Sequence, residues 1–130
     1  MRHIAIIPAR KNSKGLKKKN RILIDGCLKF ITKIKWFNQL IISSDDSLII
    51  NKAKENNLDF IKRSKKLSTG NISIKSVMID VVKKKKLDKN TVIWLIYLPL
   101  IGKKKIYFDN AKKIIEKNIT RSICSFVPVK

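Results

Sequence analysis

The feature that most constrains this 130-residue chain is its first apolar run and the loop behind it. Ile4-Ala5-Ile6-Ile7 has the length and composition of a short buried strand. Pro8 ends the run, because proline cannot donate to a sheet ladder. Arg10, Lys11, Lys14, Lys17, Lys18 and Lys19 follow with no acidic residue among them. Asn12, Ser13 and Gly15 are types that tolerate tight or left-handed backbone. A buried strand opening into a small-residue cationic loop is how α/β proteins hold a polyphosphate. Loop N–H groups line a concave anion site while Arg and Lys neutralise the charge. Taken alone, these residues equally permit a solvated basic loop after an edge strand.

Short apolar runs then alternate with segments of helical period. Ile22-Leu23-Ile24 runs into Asp25-Gly26, a turn signal, and residues 27–37 carry apolar side chains at helical spacing. Residues 39–43 read as a second buried strand. Asp45 or Asp46 is placed to cap a helix over residues 47–56 and complement its dipole, a reading we prefer to metal or acid/base work. Residues 58–61 give a third strand and residues 72–82 a helix, with Lys83 to Lys86 suiting its C-terminal end. Residues 91–98 form the most hydrophobic strand, expected at the centre of the sheet. A helix over 108–117 and a strand over 122–129 complete the order. Such alternation predicts an open, mostly parallel three-layer α/β sheet with helices on both faces.

Composition bears on partners. The formal net charge is +22, from 31 Lys plus Arg against 9 Asp plus Glu. That excess would ordinarily point to a polyanion. Only five of the 31 are Arg, however, and the chain also holds 23 Ile and ten Asn. Lys, Ile and Asn share A/T-rich codons, so genome composition accounts for much of the charge and nucleic acid is the less favoured partner. Cys27 and Cys124 show no metal-ligand or C-x-x-C spacing and fit a reducing cytoplasm. No secretory signal is present, and the longest apolar stretch is about half a membrane span. The expected setting is cytoplasmic, without a membrane partner.

Ile7-Pro8-Ala9-Arg10, Ser13-Lys14-Gly15-Leu16 and Lys19-Asn20 together resemble the N-terminal signature of the acylneuraminate cytidylyltransferases, the CMP-sialic acid synthetases and their relatives. It is neither a Walker A loop nor a G-x-G-x-x-G fingerprint. Ile42-Ser43-Ser44-Asp45-Asp46 is similar to the family's V-S-T-D-D stretch, and Arg63, Leu67, Ser68 and Thr69 to its R-P-x-x-L loop over the nucleotide. The resemblance implies one cytidylyltransferase-like nucleotide-binding domain over residues 1–130, of the Rossmann-like nucleotide-diphospho-sugar transferase type and incomplete at its C-terminus. The reaction it implies moves CMP from CTP to a nonulosonic or related sugar acid, releases pyrophosphate, and serves cell-surface polysaccharide synthesis. Carried over residue by residue, Arg10 and Lys19 become the catalytic candidates. Ala9, Arg10, Ser13, Lys14, Gly15, Lys19, Asn20 and Arg63 become the nucleotide-binding set, with Ser73 or Ser76 at the family's nucleotide-contacting serine. A surface arginine is the other reading of Arg63. Mg²⁺ is implied as cofactor, although no metal ligands are assigned in this chain.

The chain departs from the family pattern at Lys11-Asn12, which stand for two glycines, at Gly26-Cys27-Leu28 and Ser64, which lack the family's prolines, and at three further positions that bear on ligand contacts. Gly70 stands for an aspartate, Leu95 for the glutamine and Ile101 for the arginine of the substrate-side motif. An aliphatic side chain can donate no hydrogen bond to a sugar acid or phosphate. A truncated or inactive relative with weak nucleotide binding is therefore the alternative to a working enzyme, and a basic nucleic-acid-binding protein is the third reading. The family's dimerisation segment falls beyond Lys130, so a homodimer is a candidate state these residues leave open.

Overall fold

The computed structural model describes residues 1–11, 19–98 and 103–118. They belong to two units, Met1–Leu100 and Ile101–Lys130. The first holds four strands: β1 (Arg2–Pro8), β2 (Gln39–Ser44), β3 (Asp59–Lys62) and β4 (Thr91–Leu95). All pairings are parallel, in the order β3-β2-β1-β4. The chain steps outward from β1 to β2 and β3, then returns past β1 to lay β4 on its other side. Right-handed crossovers require the first two connecting helices on one face and the third on the other. The helices are α1 (Lys19–Ile31), α2 (Ser47–Glu55) and α3 (Ile74–Lys84). Accordingly α1 touches α2, α2 lies on β2 and β3, and α3 packs on β1. The parallel α/β architecture expected from the sequence is the one observed.

Strand periodicity divides the core into two layers. Ile4 and Ile6 join Ile41, Ile61 and Val81 in a buried cluster flanked by Leu87 and Ile93. Ala5 and Ile7 point the other way, and Ile24, Cys27, Leu28 and Ile31 of α1 and Ile49, Ile50 and Ala53 of α2 supply the second layer. Asp46 caps α2, accepting the Leu48 N–H at 3.1 Å. Ser73 caps α3, its Oγ accepting the Ser76 N–H at 3.2 Å, and Lys83 and Lys84 occupy the last turn as the dipole favours.

Two local expectations fail. Asp25-Gly26 is not a turn; both residues lie inside α1, which ends at Ile31 rather than running to Phe37. The stripe Ile24, Cys27, Leu28, Ile31 has i, i+3, i+4, i+7 spacing and is wholly buried, and this outweighs a local turn preference worth about 1 kcal/mol. The second failure is β4, which stops at Leu95 and is an edge strand among the described residues, half-buried throughout. Its apolar content serves an aromatic cluster instead. The Trp94 ring lies 5.0 Å from Trp36 and 5.6 Å from Phe37, and its Nε1–H donates to His3 Nδ1 at 3.0 Å.

In the second unit, α4 (Lys105–Asn118) carries Lys105–Asp109 and Lys112–Glu116 pairs at 2.9 and 2.8 Å. The strand expected over 122–129 lies outside the described residues. No described helix is long and apolar enough to cross a membrane.

Candidate functional site

Open parallel sheets bind ligands beyond the carboxyl ends of their strands, where the strand order reverses. Here that point is the crevice between β1 and β4. A cavity of about 280 Å³ opens there, bounded by Pro8 at the end of β1 and Arg10 after it, and by Tyr97 and Leu98 after β4. Three cations line it, Arg10, Lys19 and Arg63, with Asn20 and Thr69 as neutral polar groups. Ile72, Ile74 and Val77, around the start of α3, form an apolar wall. The arrangement suits an amphipathic anion, since charge can be neutralised at one end and a flat apolar body covered at the other.

Arg63 is buried, 6% exposed, so the surface-arginine reading is excluded. Its Nε donates to Ser43 Oγ at 3.2 Å and its Nη2 to the Ser43 carbonyl at 3.0 Å. Burial pulls its pKa below the ordinary arginine value; nearby Asp45 and Asp80 oppose this and Arg10 adds to it. A guanidinium remains charged at neutral pH nonetheless. A buried cation bonded to neutral oxygens and facing a cavity favours an anion there. Lys19 opens α1, whose first turn contains no acidic residue. A lysine there opposes the helix dipole by about 0.3–1 kcal/mol, a cost that an anion in the cavity would offset.

The ends of the cationic loop are held from behind. Ala9 is buried and does not line the cavity; its N–H donates to the Ser43 carbonyl at 2.9 Å and its carbonyl accepts from Ser44 Oγ. The Asn20 side-chain amide donates to the Arg10 carbonyl at 2.7 Å, tying the loop's end to its beginning. Ser13, Lys14 and Gly15 lie outside the described residues, as does Ile101. Ser73 and Ser76 are exposed, hydrogen-bonded to each other in the α3 cap, and not among the residues lining the cavity. Leu95 pairs with Ile6 in the β1–β4 ladder, and Gly70 lines the cavity.

The fold thus gathers Arg10, Lys19, Asn20 and Arg63, which the sequence motifs single out, around one cavity. Leu67 and Thr69, of the stretch similar to the family's loop over the nucleotide, also line the cavity, whereas sequence reasoning misses Tyr97. It also misses Arg21, whose Nε and Nη2 donate to the two carboxylate oxygens of Asp46 at 2.7 and 3.1 Å. Arg21 directly follows the Lys19-Asn20 pair of the motif, and two acids follow β2, which was the available signal. The cavity lining offers no carboxylate, and no described cluster of three or more His, Cys, Asp or Glu could hold a metal. Among the described residues the cavity thus presents cations for phosphate rather than a carboxylate for Mg²⁺.

Comparison with known proteins adds the following. The family model described as cytidylyltransferase matches residues 4–120. Among curated protein sequences none matches. Among the solved structures that share the fold are two at 11% identity each. One is a CMP:2-keto-3-deoxy-manno-octonic acid synthetase complexed with CTP, with a TM-score of 0.67 over 92% of this chain and 49% of that one. The other is a 4-diphosphocytidyl-2C-methyl-D-erythritol synthase, with a TM-score of 0.60 over 89% of this chain and 53% of that one. This chain spans about half the length of either structure.

Proposed function

The chain belongs to the cytidylyltransferase family, and from that premise we propose that it binds CTP at the carboxyl end of its sheet and transfers CMP to a sugar acid. The observation that carries this reading is the convergence of Arg10, Lys19 and Arg63 on one partly apolar cavity. On this reading the acceptor is of the sialic-acid or related nonulosonic type. Its hydroxyl oxygen forms a bond to the α-phosphorus of CTP and releases its proton to water, the bond from that phosphorus to the bridging oxygen breaks, and pyrophosphate leaves with the electron pair. Charge gathers on phosphate oxygens in the transition state, so positioned cations supply most of the stabilisation. Arg10 and Lys19 take that role, with Lys14 and the backbone around Ser13 and Gly15 completing the phosphate cradle. Arg63 and Asn20 hold the nucleoside end. Mg²⁺, implied by the resemblance, would travel on the nucleotide's own phosphates. The reaction belongs in the cytoplasm, and a homodimer is the assembly the resemblance implies.

One observation favours a second reading, a relative that binds nucleotide with little turnover. Leu95, at the position of the family's glutamine, can make no hydrogen bond to an acceptor. Incubation with CTP, Mg²⁺ and a panel of sugar acids, read as pyrophosphate release, separates the two. Release that depends on both CTP and one acid supports the transferase. CTP binding without release with any acid supports the second reading.

A further inference from the structure

The segment from Ser43 to Asp46, which ends β2 and caps α2, contributes nothing to the cavity lining, yet it bonds Arg63 directly and bonds residues one or two positions from Arg10 and Lys19. Ser43 holds Arg63 and the Ala9 N–H, as described above. Ser44 Oγ donates to the Ala9 carbonyl and accepts the Asp46 N–H at 2.9 Å. Asp45 Oδ1 accepts the Lys11 N–H at 2.7 Å, next to Arg10. Asp46 accepts from Nε and Nη2 of Arg21, in the first turn of α1, two residues past Lys19.

The chemistry of Asp46 is more than a helix cap needs. Capping requires one side-chain oxygen, which Asn or Ser supplies as well as Asp. A carboxylate fully buried at 0% exposure is unfavourable unless it is paired. Burial raises its pKa, but the Arg21 hydrogen bonds, the Leu48 amide and the charges of Arg21 and Lys11 outweigh that and leave it below the usual carboxylate value. The negative charge is therefore matched to Arg21, and a bidentate pair fixes the direction as well as the distance of its partner. Fixing Arg21 sets the rotation and depth of the first turn of α1, and with it where Lys19 and Asn20 meet the cavity.

We infer that Asp46 is a positioning residue for the nucleotide site, acting through Arg21 on Lys19 and Asn20 and through Ser44 on the Ala9–Arg10 segment. The inference rests on the nucleotide-binding reading above and adds to it a residue that touches no substrate.

The test compares CTP affinity of the wild-type chain, Asp46→Asn, Arg21→Gln and the double variant, measured by calorimetry well below each Tm. Asn keeps the acceptor for the Leu48 N–H and hence the cap, so Asp46→Asn removes mainly the charge partner. Each single variant is expected to weaken CTP binding about tenfold, and the double variant no more than either single. In parallel, NMR follows the Arg21 Nε–H, the Lys11 amide and the Asn20 side-chain amide without nucleotide. Asp46→Asn should shift the Arg21 Nε–H and the Asn20 amide and speed exchange at Lys11. Wild-type CTP affinity in both single variants, with the Arg21 Nε–H resonance moved to its solvent-exposed position, overturns the inference; a purely structural pair would lower Tm and leave affinity unchanged. Failure of the wild-type chain itself to bind CTP would overturn the nucleotide reading. In that case unchanged Lys11 and Asn20 signals in Asp46→Asn overturn the positioning role, and changed signals uphold it.

Discussion

Arg63 reaches back from the end of β3 to grip Ser43 of β2 twice, through Nε on the hydroxyl at 3.2 Å and Nη2 on the carbonyl at 3.0 Å. This fork holds a buried guanidinium at the wall of the cavity. Lysine cannot reproduce it, because an ammonium is a point charge without a planar pair of donors. Arg63→Gln and Arg63→Lys should both weaken CTP binding, the first by about 1.5–3 kcal/mol, the range for a hydrogen bond to a charged group. Calorimetric titration of both variants checks this. Wild-type affinity in Arg63→Gln would remove Arg63 from the site.

Asp46 also gives the protein an acid-sensitive contact. Its pKa is depressed in the folded state, so its contribution to stability is full above the unfolded value of about 3.9 and is lost as pH falls through the folded value. Urea denaturation from pH 6 to pH 2 should show wild-type stability falling more steeply below about pH 4 than that of Asp46→Asn. Parallel curves would mean the pair contributes nothing that depends on proton uptake.

Two positions carry the wrong residue for their backbone. Gly26 sits inside α1 with nothing within 4 Å of where a Cβ would stand, so Gly26→Ala should stabilise by about 0.5–1 kcal/mol. Lys86 follows α3 at φ 52°, and the Leu87 N–H closes onto the Val82 carbonyl at 3.0 Å in a helix-terminating turn that favours glycine. Lys86→Gly should raise stability by up to about 1 kcal/mol. Thermal melts of the two variants and their combination, expected to be additive, provide the check.

Cys27 is buried among the α1 core residues, and burial pushes its thiol up to about 11. Almost none is thiolate at neutral pH, and the thiolate is the reactive form. In a Cys124→Ser background, alkylation at pH 7.5 should be slow in the native protein and accelerate with urea in step with unfolding. Rapid native labelling would contradict the packing of α1.

Much of the fold was legible because its signals are local. Ile4 to Ile7 has the composition of a strand, and Asp45-Asp46 marks the start of α2 in the sequence itself, whereas the capping role of Ser73 emerges only in the structure. Gly26 misled because the Asp25-Gly26 preference is local, whereas burial of Ile24, Cys27, Leu28 and Ile31 is decided by the sheet beneath them. The edge position of β4 was hidden for a related reason. A hydrophobic run reports burial in general, and cannot say that Trp94 is covered by His3, Trp36 and Phe37 rather than by strands on both sides. In the site, Arg10, Lys19 and Asn20 stood in one motif. Arg63 joins them through a 20-residue separation from Ser43, and Asp46 meets Arg21 across 25. Pairings at that distance follow from strand register, which the residues taken one at a time do not contain.

The most direct test of the account is a calorimetric titration of the full chain with CTP near physiological salt with Mg²⁺, using ATP as competitor and Arg10→Ala as control. Saturable CTP binding is expected, which ATP does not displace and Arg10→Ala abolishes. Absent binding, or equal binding of both nucleotides by wild-type and Arg10→Ala alike, would contradict it and leave the cavity as a basic cleft without nucleotide selectivity.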